Sequence, residues 1–133
     1  MAIFGIGAFY DEDVSEDFIE QSVACIGWSE KDASTLYNIL RCLRVGDIIY
    51  IKSQPPQVGL IIKAVGIVSD NKLEKYPDLG TGVKMKWLWT GNEKLGKIPE
   101  LDDKYNVRNN SIYEEFNRFV QDKVLKLLTN EDK

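Results

Sequence analysis

The 133-residue sequence contains no histidine. The cysteines and a possible glycine-rich phosphate loop are therefore considered first as sources of chemistry. Without histidine there is no Ser-His-Asp triad, no histidine metal site and no imidazole acid–base chemistry, whereas carboxylate and lysine chemistry remain open. Cys25 and Cys42 each lie in an apolar pattern, so we predict that both are small buried residues. Gly5 and Gly7 lack the third glycine of a dinucleotide-binding loop. We therefore expect no catalytic residue, metal or cofactor.

Charge is spread unevenly along the chain. Residues 1–35 hold eight acidic residues and one basic residue, whereas residues 36–97 hold ten basic and five acidic residues. The net charge is −4 and the isoelectric point is near 4.9. A non-specific nucleic-acid binder usually has a basic footprint and a high isoelectric point, so this balance argues against that class. The middle segment still has enough lysine and arginine for a small basic patch.

Length and hydropathy bound the class of protein. The 133 residues fit one domain, 1–133, and 44% of them are apolar, which is enough for a core. No apolar run approaches the ~18 residues that a membrane-spanning helix needs. The start of the sequence lacks the basic flank and long apolar stretch of a signal peptide. We expect a cytoplasmic protein with no membrane partner.

Hydrophobic patterns predict alternating short strands and helices in the first half of the chain. Asp13 and Glu16 are spaced as a capping box, and Ser29 is a suitable N-cap for a second helix, so each predicts a helix start. The apolar runs predict strands over residues 2–9, 23–28 and 47–52.

The second half reads as strands followed by one closing helix. Strands are predicted over 58–68 and 83–89, with a polar connection over 70–82 between them. A turn is predicted over 90–93 and irregular chain over 94–110. A capping box at 111–114 then predicts a helix that runs to about Thr129. Adjacent strands with segregated helices indicate an α+β fold. A curled antiparallel sheet that closes into a barrel would hide its edges.

Several segments, taken together, resemble one known family. They are 26–28 (Ile-Gly-Trp) before a helix, 43–50 (Leu-Arg-Val-Gly-Asp-Ile-Ile-Tyr), 62–68 (Ile-Lys-Ala-Val-Gly-Ile-Val), the strand with Val83, Trp87 and Leu88, and 111–113 (Ser-Ile-Tyr). This set resembles the EVE-like branch of the PUA-like superfamily over residues 23–128. Members include small stand-alone proteins and the reader modules of modification-dependent restriction systems.

The resemblance implies a small mixed, mostly antiparallel PUA-like β-barrel with flanking helices. It also implies binding of nucleic acid or a nucleotide, often one flipped and modified base in an aromatic pocket. A protein partner such as a nuclease is a further expectation.

Base capture needs aromatic faces for stacking. Trp28, at a predicted strand-to-helix junction, is a candidate for stacking or for packing at the core rim. Trp87 and Trp89 share one predicted strand face, so we expect at least one in the core and rank Trp89 higher for the site. Tyr50 is predicted either to line the pocket or to cap the core.

Polar candidates follow from the needs of a base edge and of phosphate. Ser53 and Gln54 lie in the loop after Tyr50 and are candidates to read a base edge. The candidates for phosphate are Arg41, Arg44, Lys52, Lys84 and Lys86. For Lys84 and Lys86, which share a strand face, ordinary solvent exposure is the competing interpretation.

A protein-interaction or inhibitor module, accessory or phage-encoded, is the rival class. In that case the acidic residues between 11 and 20 would contact a basic partner, imitating the charge of nucleic acid. A salt-sensitive interaction with a basic protein would favour this class. An enzyme ranks third, because no paired carboxylates, metal cluster or phosphate loop is evident in the sequence.

Overall fold

One curled sheet carries helices on both of its faces. The computed structural model describes residues 1–97 and 110–129. In chain order its elements are β1 (Ile3–Gly7), α1 (Ser15–Gln21), β2 (Val23–Ile26), α2 (Ser34–Cys42), β3 (Ile48–Ser53), β4 (Leu60–Tyr76), β5 (Gly80–Gly96), β6 (Ile112–Glu114) and α3 (Arg118–Thr129). This confirms the predicted α+β class.

The sheet is mixed but mostly antiparallel. Its strand order is β2-β5-β4-β3-β1-β6, and the β1–β3 pair is parallel while the other four pairs are antiparallel. It curls into a half-barrel, so that its two edge strands approach each other at one end. There the indole Nε1 of Trp28, just after β2, donates a hydrogen bond to Ser111 Oγ, just before β6, at 3.1 Å.

Two hydrophobic clusters bury the two faces of the sheet. Phe18 of α1 and Leu40 of α2 pack into one cluster, and Val120 and Val124 of α3 pack into the other. Burial of these large side chains is the main stabilising term for such a layered arrangement. None of the helices in the described residues is long and apolar enough to cross a membrane.

Strands β4 and β5 form one long hairpin of 17 residues each. The prediction of a polar connection over 70–82 is therefore wrong, as is the predicted turn over 90–93. Both segments are polar because they lie largely at the exposed surface, yet apart from the hairpin turn they belong to β4 and β5, which pair on both sides of register shifts. The actual turn is at Pro77–Asp78, where the Leu79 amide donates to the Tyr76 carbonyl at 3.1 Å.

A bulge in the hairpin puts Trp87 and Trp89 on opposite faces of the sheet, although strict alternation along β5 would put them on the same face. Gly66 pairs with Trp87 and the adjacent Val65 pairs with Trp89, so Leu88 is the extra residue. Adjacent residues of β4 face opposite sides, and their partners therefore do so too. Trp87 packs against the cluster with Phe18, and Trp89 against the cluster with Val120. The predicted shared face is wrong.

Three predicted helix starts differ from the structure. Asp13 accepts hydrogen bonds from the Ser15 amide and hydroxyl in a local turn instead of closing a capping box with Glu16. Ser29 closes a turn with Asp32, and α2 begins later, at Ser34. Residues 112–114 form β6 because they pair with β1, a long-range contact that outweighs the local capping pattern. Of the irregular chain predicted over 94–110, residues 94–96 belong to β5 and 98–109 lie outside the described residues.

The cysteines also differ from each other. Cys25 is buried in β2, where burial raises the pKa of its thiol to about 12. Cys42 ends α2 and is exposed, so the prediction that both are buried is wrong for Cys42. Its apolar neighbours Leu40 and Leu43 are buried while Cys42 faces outward, as expected at helical spacing.

Candidate functional site

A cleft of about 960 Å³ opens at one edge of the sheet. Since β1 and β3 run parallel, their carboxyl ends meet at this edge, and the segments that follow them line the cleft. The residues after β2 and before β6 complete the wall on the side where the half-barrel ends approach each other. Its volume is that of a typical small-ligand site.

Trp28 is the main aromatic side chain of the cleft. It is 55% exposed, although its indole nitrogen and its main-chain carbonyl are both hydrogen-bonded. Its indole Nε1 donates to Ser111 Oγ at 3.1 Å, and its main-chain carbonyl accepts a hydrogen bond from the Tyr37 hydroxyl at 2.9 Å. The ring is thus held in place while much of its surface stays open to solvent, as a stacking platform requires.

A second exposed ring, Phe9, lies in the segment after β1 and is 72% exposed. This segment folds back on itself through a bridge between Phe9 and Asp13. An exposed phenylalanine that lines a cleft together with an exposed tryptophan offers apolar surface to a ligand.

Tyr10 and Gly27 form a close contact that both shapes and supports the cleft. Built on Gly27, a Cβ atom would lie 3.2 Å from the Tyr10 ring, so a side chain there would press on that ring. The Tyr10 hydroxyl donates to the Leu79 carbonyl at 2.6 Å. Burial, with a smaller effect from Cys25, raises the pKa of Tyr10, so this phenol stays neutral at physiological pH.

Two lysines bring positive charge to the cleft. Lys63, of β4, forms an ion pair with Asp13. Partial burial would raise the pKa of the Asp13 carboxyl, but hydrogen bonds from Lys63 and Ser15 and the Lys63 charge hold its pKa below the usual value. Lys52, near the end of β3, has its ammonium group 5.8 Å from the centre of the Tyr113 ring, a cation–π distance.

Gln54 lies in the cleft wall and has a hydrogen-bond acceptor that is not satisfied. Its Oε1 atom is buried and has no hydrogen-bond partner in the described structure. Leaving such an acceptor unsatisfied costs roughly 1–3 kcal/mol. A rotation of the amide toward the cleft would let a ligand N–H satisfy it. Ser53 precedes it on the same wall.

The structure brings four of the eleven predicted site residues together in this cleft: Trp28, Lys52, Ser53 and Gln54. The exposed cations Arg44, Lys84 and Lys86 lie outside it, and so does the phosphate candidate Arg41.

Tyr50, Trp87 and Trp89 do not offer a ring to the cleft. Tyr50 is fully buried, and its hydroxyl bonds to the hydroxyl of Tyr113 at 2.7 Å and to Glu115 Oε1 at 2.6 Å. The Trp87 indole donates to the Phe18 carbonyl at 3.1 Å, which anchors α1 to β5. Trp89 is half-buried against the α3 face of the sheet. The predicted stacking role of Tyr50 conflicts with its burial.

Sequence reasoning missed Phe9 and Lys63 as site residues. Lys63 had a visible signal, since it is the lone charge in the apolar run 58–68. Phe9 had none, because an aromatic residue at a strand end is ordinarily assigned to the core.

Neither a scan against models of known protein families nor a search of curated proteins found a match for this chain.

Proposed function

We propose that this chain is a non-catalytic recognition module that binds a nucleobase or nucleotide, including a modified base in DNA or RNA, in the Trp28 cleft. The observation that carries the proposal is Trp28, which is hydrogen-bonded through its indole Nε1 and its main-chain carbonyl yet is 55% exposed in a cleft of about 960 Å³. A planar base stacked on such a ring gains roughly 1–3 kcal/mol.

The other residues of the cleft supply the remaining parts of base recognition. The side-chain oxygen of Gln54 accepts a hydrogen bond from a donor at the base edge. The hydroxyl of Ser53, the preceding residue, hydrogen-bonds to a second polar group of the ligand. Lys52 and Lys63 face the phosphate or sugar side of the ligand. Phosphate contacts position a nucleotide, and edge contacts decide which base is accepted.

We further propose that the module is of the PUA-like, EVE type. The mixed, mostly antiparallel half-barrel supports this proposal, as does the position of Trp28 in the Ile-Gly-Trp segment, on the cleft wall. An EVE-type reader acts on nucleic acid beside an effector, so a nuclease is the protein partner that we expect.

The test is binding of short single- and double-stranded oligonucleotides, plain and base-modified, and of free nucleotides, measured by calorimetry. We expect the wild-type protein to bind one class saturably, and Trp28→Ala to weaken that binding roughly tenfold or more. Trp89→Phe is the matched control, because Trp89 lies outside the cleft, and it should bind as the wild type does.

Circular dichroism and thermal unfolding would establish that Trp28→Ala is folded. If the folded variant bound its ligand as tightly as the wild type, Trp28 would not be in the site. If the wild-type protein bound no nucleic acid or nucleotide at either low or physiological salt, the proposed function would be wrong.

The second candidate function is that of a protein-interaction or inhibitor module. The observation that favours it is the exposure of six carboxylates close together in sequence, at residues 11, 12, 13, 16, 17 and 20. Capture of a basic protein that is lost at high salt, and lost when Asp11, Asp13 and Asp17 are changed to asparagine, would select this function over base recognition.

A further inference from the structure

A second cleft, of about 910 Å³, adjoins the first and shares Tyr10, Gly27 and Trp28 with it. Its remaining wall comes from the turn before α2, from one face of α2 and from the β4–β5 turn with the strand ends beside it. Two more tyrosines, Tyr37 and Tyr76, line it. Four aromatic side chains, including Tyr10 and Trp28, thus line this cleft.

The charge of the second cleft also differs from that of the first. Three carboxylates, of Glu30, Glu74 and Asp78, face two basic side chains, whereas the first cleft balances two lysines against two aspartates. One of the two basic side chains, Arg41, is already paired with Glu30. Glu74 has the ammonium group of Lys72 at 4.0 Å, whereas Asp78 makes no ion pair within the described residues. The lining of the second cleft therefore carries one more negative than positive charge, and Asp78 is its unpaired carboxylate within that part of the chain.

An organic cation of the chain itself already occupies an aromatic face in this cleft. The guanidinium of Arg41 lies 5.9 Å from the centre of the Tyr37 ring, a cation–π distance. The faces of Trp28, which is 55% exposed, and of the half-buried Tyr76 carry no such cation within the described residues. Carboxylates placed beside aromatic rings are the chemistry that recognises ammonium groups.

We propose that the second cleft binds an organic cation, an alkylammonium or guanidinium group, on the faces of Trp28 and Tyr76. Glu74 and Asp78 supply the counter-charge. The group is the side chain of a lysine or arginine in a partner protein, or a free amine of the same chemistry. This site shares Trp28 with the base-recognition site of the first cleft, and its ligand has the opposite charge.

Nuclear magnetic resonance of the labelled protein separates the two clefts. The backbone amides of Gly80 and Thr81 report on the second cleft, and those of Gly7 and Ser53 on the first. The probe is acetylated trimethyl-lysine amide, and its control is the neutral analogue with a tert-butyl group. We expect the charged probe to shift Gly80 and Thr81 and the neutral analogue to leave them in place.

Asp78→Asn tests the counter-charge. Asp78 has a φ of 66°, and asparagine tolerates this left-handed conformation, so the turn should be preserved. We expect affinity for the cation to fall roughly two- to fivefold, the range for an exposed charge pair. Asp122→Asn, on α3 and away from both clefts, makes the same chemical change and should leave the affinity as it is.

Equal shifts from the neutral analogue would overturn the proposal, as would shifts confined to Gly7 and Ser53. A mononucleotide that shifts Gly80 and Thr81 while the cation does not would assign the second cleft to the nucleotide instead. A lysine-containing peptide that binds more tightly than the free trimethyl-lysine probe would identify the source as a protein, and equal affinities would identify a free amine.

Discussion

Trp28 shows how a single residue can be exposed and ordered at once. Burial usually holds a large aromatic ring, but here hydrogen bonds at the indole nitrogen and the main-chain carbonyl do so, through Ser111 and Tyr37. A ring that is already fixed loses little conformational entropy when a ligand stacks on it, and that raises affinity without a further contact.

The Asp13–Lys63 pair gives a pH-dependent contribution to stability. The folded-state pKa of Asp13 lies below its unfolded value, so the stabilisation is present above the unfolded pKa of ~3.9 and is lost as the pH falls through the folded pKa. Asp13→Asn keeps an acceptor for Ser15 and removes only the charge. We expect it to lower the free energy of unfolding by less than about 1 kcal/mol at pH 7, because the pair is partly exposed.

Urea unfolding at pH 7, 5 and 3 measures this effect. The difference between wild type and Asp13→Asn should hold at pH 7 and shrink below about pH 4. In the Lys63→Met background Asp13→Asn should have a smaller effect at pH 7, since the partner charge is gone and only the hydrogen bonds from Ser15 still favour the charged carboxylate. An Asp13→Asn difference that stayed constant from pH 7 to pH 3 would show that the charge is not its source.

The sequence indicated the position of residues that depend on local chain geometry. Ser53 and Gln54 line the cleft because they follow Tyr50 at the end of β3, although Ser53 is the last residue of that strand and does not lie in a loop. Tyr50 was misplaced because its hydroxyl is satisfied by Glu115, 65 residues away, and such a long-range bond lets a tyrosine be fully buried. No local pattern shows that partner.

Among the elements, the junction between β2 and β5 depends on the absence of a side chain at Gly82. Gly82 pairs with Cys25, and a Cβ atom on Gly82 would lie 1.9 Å from the Ala24 carbonyl oxygen. Because backbone atoms form the obstacle, Gly82→Ala must push β2 away. We expect a loss of about 1–3 kcal/mol in the free energy of unfolding, measured by guanidinium denaturation.

Gly7→Ala is the control for that substitution. The nearest atom to its added Cβ would be Lys52 Cε at 3.4 Å, an ordinary contact with the end of a flexible side chain. We expect it to leave stability nearly unchanged or slightly raised, since alanine has less conformational freedom than glycine in the unfolded chain. Equal effects of the two substitutions would mean that β2 is not pressed against β5.

The long hairpin explains why element boundaries were the weakest part of the sequence interpretation. Alternation of apolar and polar residues marks a strand only where one face is buried. Near Ser69 and Asp70, and again near Gly91 and Asn92, the chain is exposed and such alternation disappears. The register of β4 and β5 shifts near these residues and the pairing resumes on either side, which the amino-acid pattern does not show.

At the scale of the whole molecule, the curl of the sheet creates the candidate site. The segments after β1, β2 and β3 are distant in sequence, and they meet because the parallel β1–β3 pair aligns their ends and because the curl brings Trp28 to Ser111. The resemblance implied a mixed, mostly antiparallel sheet, but it did not indicate which strands pair in parallel, since β1 and β3 are separated by two helices and β2.

The net charge of the chain and the charge of the cleft indicate how strongly nucleic-acid binding should depend on salt. The chain has a net charge of −4, and among the described residues the basic side chains that line the cleft are Lys52 and Lys63. Single-stranded nucleic acid loses affinity with a logarithmic slope of about −0.7 per neutralised phosphate. Two contacts from these lysines then mean less than a tenfold loss between about 50 and 200 mM salt.

Fluorescence anisotropy of a labelled single-stranded oligonucleotide across this salt range measures that slope. Stacking on Trp28, which salt does not screen, should carry most of the affinity, so Trp28→Ala should lower it at every salt concentration, while Lys52→Gln should flatten the slope. A loss of a hundredfold or more across the range would contradict recognition through the cleft, because it requires a basic surface. If a basic protein were the ligand and its affinity fell steeply with salt concentration, binding would instead be at the exposed carboxylates of residues 11–20. Salt screens the attraction between opposite charges at such an exposed surface.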